Sequence, residues 1–194
     1  GRREAMGKRA NFNGDIIYCL VGPSGSGKTT VAKELEQRGY NVIKSYTTRP
    51  PREPEEWGHI FVDSVSAKEG VLAHTLYDGY HYWARREQYQ GKGKSIYVID
   101  PEGVEVLRKT VADTQVVVIY LNATETECFA RMLVRLREKC GIKTPPEYYA
   151  DKDMAERRLE HDRKLFRVVP CDYAIDANGT IAETVENVLE VIRS

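Results

Sequence analysis

At 194 residues the chain suits one compact domain with a sizeable buried core. Lys plus Arg and Asp plus Glu both number 29, so the net charge is zero and no bulk field draws the protein to nucleic acid or to an anionic membrane. No apolar run approaches the roughly 18 residues of a membrane span, and Cys19, Cys128, Cys140 and Cys171 show no CxxC spacing. The expectation is a soluble cytoplasmic protein with reduced thiols and no disulfide framework.

Residues 1–14 are polar, with Arg2, Arg3, Lys8 and Arg9, and read as a solvated lead-in. The continuously apolar run Ile16-Ile17-Tyr18-Cys19-Leu20-Val21 then predicts a parallel strand buried on both faces. A glycine-rich turn follows, and Val31 and Leu35, spaced i, i+4, predict a helix from Lys28 to Arg38 that stops at Gly39. Further strands are expected at Asn41 to Thr48, Ser95 to Asp100, Gln115 to Leu121 and Asp172 to Asp176. Helical patterns run from Glu102 to Val111, Thr124 to Lys139 and Asp153 to Phe166, and a last helix aligns Ile181, Val185, Val188, Leu189 and Ile192. Strands alternating with helices predict an α/β fold in three layers, with a parallel core sheet between helices.

Two segments depart from this alternation. Residues 46–91 combine Pro50, Pro51 and Pro54 with many charges and aromatics and read as an inserted subregion that binds something. Thr144-Pro145-Pro146 interrupts the helical pattern and marks 137–158 as a mobile lid. The remainder, 15–45, 92–136 and 159–194, forms the core of a single domain.

The sequence Gly22-Pro23-Ser24-Gly25-Ser26-Gly27-Lys28-Thr29 fits GxxxxGK[ST], and Thr30 follows. Glycines let successive backbone N–H groups turn toward one anion, and the helix N-terminus adds partial positive charge. Lys28 can reach the β and γ phosphates of a nucleoside triphosphate, and the Thr29 hydroxyl suits the coordination shell of Mg²⁺. The setting between a buried strand and an amphipathic helix is the one this motif requires.

Past the second strand stand Thr47-Thr48-Arg49-Pro50-Pro51-Arg52, then Glu55, Gly58 and Phe61-Val62. Two guanidinium groups three residues apart can grip one phosphate through bidentate bonds, although an isolated pair would read as solvated surface arginines. Together with GPSGSGKTT, this stretch resembles the guanylate kinase family of P-loop nucleoside monophosphate kinases. Gly79-Tyr80-His81-Tyr82, Ile99-Asp100 with Glu102-Gly103, the Arg131/Arg135 spacing and Arg158 extend the resemblance over about residues 16–192.

The resemblance implies a P-loop NTPase fold and transfer of the ATP γ-phosphoryl group, with Mg²⁺, to a nucleoside monophosphate such as GMP or dGMP. By the same carry-over Arg49, Arg52, Tyr82, Ser45 and Asp100 form the acceptor site, and Lys28, Arg131, Arg135 and Arg158 are the catalytic cations. Their bland readings are core packing for Tyr82 and, for Arg131 and Arg135, a wet helical face paired with Glu127 and Glu138. The implied partners are ATP and the acceptor only, in a monomer or homodimer. Kinases of other phosphorylated small molecules, and non-catalytic binding modules, are the alternatives.

The family pattern breaks at three places. Gly58-His59-Ile60-Phe61-Val62 is short and lacks the family's tyrosine, leaving His59 either a replacement donor or an exposed loop histidine. Ala73 and Ala84 stand where the family's guanine-reading glutamate and hydroxyl residue are expected. Alanine cannot read a base, so the acceptor's base stays open, with His74, Tyr77, Arg85 and Arg86 as candidates for new contacts.

Overall fold

A computed structural model describes residues 14–65, 70–140, 152–161 and 169–194, without the side chains of 137, 139 and 140. Most of the lead-in, the Thr144-Pro145-Pro146 break, Cys140's side chain and the end of the 153–166 helix lie outside the described residues. Five strands form a wholly parallel sheet in the order β2-β7-β1-β8-β9: β2 Asn41–Ile43, β7 Lys94–Val98, β1 Ile16–Val21, β8 Gln115–Asn122 and β9 Tyr173–Asp176. The helices are α1 Lys28–Gln37, α2 Pro101–Thr110, α3 Glu125–Cys140, a helix α4 over 152–161, and α5 Ile181–Arg193.

Alternation along β1 divides the core in two. Tyr18 and Leu20 face Val31 and Leu35 of α1 and Val185, Val188 and Leu189 of α5. Ile17, Cys19 and Val21 face Val104 and Leu107 of α2 on the other side. Burial on both faces is why β1 and β8 read as unbroken apolar runs. Each fully buried aliphatic side chain contributes about 1.5–3 kcal/mol, so these two layers supply most of the cohesion that holds the loop after β1 in place.

The expected single strand from Asn41 to Thr48 is two strands. At Lys44 the chain leaves the parallel sheet and enters a second, four-stranded sheet in the order β4-β3-β6-β5, formed by β3 Ser45–Thr47, β4 His59–Phe61, β5 Val71–Tyr77 and β6 Tyr80–Arg85. β3 pairs parallel to β4 and antiparallel to β6. The residues are β-formers throughout, so propensity could not show the change of partner. Leu72, Ala73 and Ala84 of the second sheet join the core layer under α2, which fixes that sheet against the first.

Candidate active site

β1 is flanked by β7 and β8, so the loop after Val21 opens at the carboxyl edge of the parallel sheet, where ligands of such sheets bind. Ser26 N–H donates to the Pro23 carbonyl at 3.1 Å, and Gly27, with φ +95°, caps α1 in the left-handed region. Gly25 has φ +83°, and a Cβ there would stand 2.5 Å from the Cys128 carbonyl of α3. Only glycine fits this turn, because both the dihedral and the close helix exclude a side chain. Gly22 and Ser26 are buried behind the loop. Ser24, Gly25, Gly27, Lys28, Thr29 and Thr30 line a cavity of about 1110 Å³, shared with Arg135 of α3 and Arg157, Arg158 and His161 of α4.

A second cavity, of about 320 Å³, lies between the two sheets and brings together Ser45, Arg49, Arg52, Tyr82 and Asp100. Lys28, Thr29, Arg52 and Tyr77 line both cavities, so the two meet at the head of α1. These residues also have structural partners. Ser45 Oγ lies 2.8 Å from the Tyr97 hydroxyl, whose pKa burial drives upward. Asp100 caps α2, its Oδ1 accepting the Gly103 N–H at 2.7 Å. Arg49 is only 8 % exposed.

Glu56 fixes the Arg49 guanidinium. Nη2 donates to Oε1 at 2.9 Å and Nη1 to Oε2 at 3.2 Å, while the Phe61 ring centroid lies 5.6 Å from the guanidinium carbon. Burial works against the Arg49 charge, but its hydrogen bonds to Glu56 and to the adjacent Tyr82 outweigh it and set its pKa above the usual value. Burial likewise raises the Glu56 carboxyl, and the Arg49 side chain with the Arg52 backbone N–H more than reverses this. His59 faces the same group. Burial first, then the charge on Arg49, lower its pKa, so it is neutral near pH 7.

Arg135 and Arg158 line the cavity of the phosphate loop, whereas Arg131 does not. Its Nη1 donates to the Gly25 carbonyl at 3.1 Å, its Nη2 to the Ala177 and Gly179 carbonyls at 2.7 and 2.9 Å, and its Nε to Glu127 Oε1 at 3.0 Å. Arg131 therefore ties the back of the phosphate loop to the turn before α5. Of the four candidates for base contacts, Tyr77 alone lines this second cavity: His74 bonds to His81, Arg85 to Glu87 and Arg86 to Asp113. Ala73 lines it too, at a β-bulge with φ +50°, while Ala84 is buried in the core.

Sequence reasoning passed over Trp57, Thr75, Arg157 and Glu56. The run Glu53 to Glu56, with a proline inside it, reads as solvated charge, and only the fold shows which carboxylate turns back to Arg49. Among the described residues no three His, Cys, Asp or Glu side chains gather as metal ligands. The exposed Thr29 hydroxyl beside the cavity fits a Mg²⁺ that takes most of its oxygens from phosphate and water.

No protein-family model matches the chain. It is 30% identical over 196 residues to the guanylate kinase of Anaplasma phagocytophilum (strain HZ), covering 92% of this chain and 86% of that protein. Identity to the guanylate kinase of Thermotoga maritima is 30% over 192 residues, with the same coverages of 92% and 86%. The crystal structure of guanylate kinase from Anaplasma phagocytophilum superposes with a TM-score of 0.56 at 20% identity, covering 92% of this chain and 85% of that one, and shares its fold. Similarity of this extent, carried over nearly the whole described fold, makes the chain a member of the guanylate kinase family.

Proposed function

We propose that the protein transfers the γ-phosphoryl group of ATP to the phosphate of a nucleoside monophosphate, GMP or dGMP, giving ADP and the diphosphate. The observation that carries this reading is the meeting of two cavities at Lys28, Thr29, Arg52 and Tyr77, one lined by the phosphate loop and one beside a buried arginine. Family membership supports the same chemistry.

Phosphoryl transfer asks for alignment and for cations around the migrating group rather than for covalent chemistry. In this reading the loop amides from Gly22 to Thr30 and Lys28 hold the triphosphate. Arg49 and Arg52 hold the acceptor phosphate, with the Tyr82 hydroxyl as a further donor. Arg135 and Arg158 neutralise charge on the transferred group, and Arg131 positions the loop. Mg²⁺, when bound at Thr29, supplies further positive charge at the phosphates. Ser45 and Asp100 face the nucleoside. The zero net charge favours no nucleic-acid or membrane partner.

Incubation with Mg²⁺-ATP and a panel of GMP, dGMP, AMP, UMP and a sugar phosphate tests the assignment. ADP formation dependent on GMP or dGMP is expected. Turnover of the sugar phosphate with none of any nucleotide would overturn it.

A further inference from the structure

The wall of the acceptor cavity contains two nitrogens that the fold leaves unmatched. Arg49 Nε and His59 Nδ1 are both buried without a hydrogen-bond partner among the described residues. Buried polar nitrogens are seldom left so, and two in one cluster indicate a ligand with acceptor oxygens. Their placement follows from the strands. β4 lies in register with β3, Ser45 opposite His59 and Thr47 opposite Phe61, so His59 and Phe61 share one face. The His59 ring sits 5.9 Å from Tyr82, edge-on, and 6.1 Å from Phe61, the ring that also carries the Arg49 guanidinium. His59, Arg49, Arg52 and Tyr82 all line the 320 Å³ cavity.

We infer that His59 is a ligand of the acceptor's phosphate, donating an imidazole N–H beside Arg49 to the group that receives the phosphoryl. The inference rests on the acceptor reading given above. The alternative role, an exposed loop histidine, is excluded by its place within a strand and its buried ring nitrogen. A neutral imidazole has one N–H to give, and a phosphate oxygen has only lone pairs to offer, so the two are complementary. The charged and titratable groups facing the ring are Arg49, Arg52 and Glu56 from the connecting segment and Tyr82 from β6. An entering phosphate dianion adds negative charge to this mainly cationic surround, so acceptor binding draws a proton onto His59.

Steady-state kinetics and imidazole ¹⁵N NMR of the full chain test this. His59→Ala should raise the KM for GMP at least tenfold while leaving the KM for ATP within twofold, and His59→Asn, which returns an N–H near the Nδ1 position, should recover part of the loss. The wild-type His59 nitrogens should shift on adding GMP, and the pH dependence of the KM for GMP between 5.5 and 7.5 should flatten in both variants. An unchanged KM for GMP in a His59→Ala variant with wild-type thermal melting would overturn the inference while leaving the kinase reading intact. If the wild type turned over no nucleotide, inorganic phosphate becomes the probe. A His59 shift with phosphate that disappears in Arg49→Ala would sustain the assignment, and no shift would overturn it.

Discussion

Arg49 and Glu56 share two hydrogen bonds, at 2.9 and 3.2 Å, with their side chains only 9% and 16% exposed. The pair holds the guanidinium still before any substrate arrives. Removing one member of a buried pair leaves the other charge uncompensated, a loss of about 3 kcal/mol. Glu56→Ala should therefore lower the unfolding free energy by about that amount, measured by urea titration. Because an anion in the cavity can replace the lost carboxylate, GMP should raise the melting temperature of this variant more than that of the wild type.

The same pair gives a dependence on pH. The Glu56 carboxyl is held below its ordinary value, since the Arg49 and Arg52 hydrogen bonds reverse the effect of its burial. A carboxyl whose folded pKa is depressed adds stability above its unfolded pKa of about 4.3, and that stability fades as pH falls toward the folded value. The stability difference between wild type and Glu56→Gln should thus be flat from pH 5 to 8 and shrink below about pH 4.3. A difference that instead shrank above pH 5 would assign the effect to another group.

Lys28 stands where the two cavities meet, its Nζ 3.3 Å from the Pro23 carbonyl. Lys28→Ala should lower kcat by at least about 10²–10³, the usual cost of losing one preorganised electrostatic contact to the transition state. Circular dichroism and melting should barely change, because the side chain carries little of the core.

Local signals were legible and distant ones were not. The phosphate loop is contiguous, so GPSGSGKTT alone identifies the turn, and unbroken apolar runs identify the strands beside it. Arg49 and Arg52 are likewise close in sequence. The structural anchoring of Arg131 is not legible in the sequence, because its partners, Gly25, Ala177 and Gly179, lie 106, 46 and 48 residues away and offer backbone carbonyls that no residue type advertises. These neighbours yield a distinct expectation. Arg131→Ala should destabilise the ligand-free protein by about 2 kcal/mol by leaving carbonyls unmatched, where a residue reserved for triphosphate would leave ligand-free melting unchanged.

Trp57 connects the acceptor cavity to the helix that begins at the phosphate loop. Its Nε1 donates to Glu36 Oε1 at 3.0 Å near the end of α1, Lys44 Nζ bonds Glu36 Oε2 at 2.9 Å, and the same ammonium lies 5.1 Å from the Trp57 ring centroid. Glu36 thereby joins α1 to the residue at which the chain crosses between sheets. Trp57→Phe keeps the ring and removes the donor, and for this half-exposed carboxylate the stability cost should be near 1 kcal/mol. The larger effect should fall on acceptor binding. With the segment 49–58 loosened from α1, Arg49 and Arg52 are held less firmly against the phosphate loop, and the KM for GMP should rise several-fold with the KM for ATP unchanged. A double-mutant cycle with Glu36→Gln separates this link from general loosening. If the two substitutions act through one hydrogen bond, the second adds little to the KM increase caused by the first, whereas independent effects would multiply.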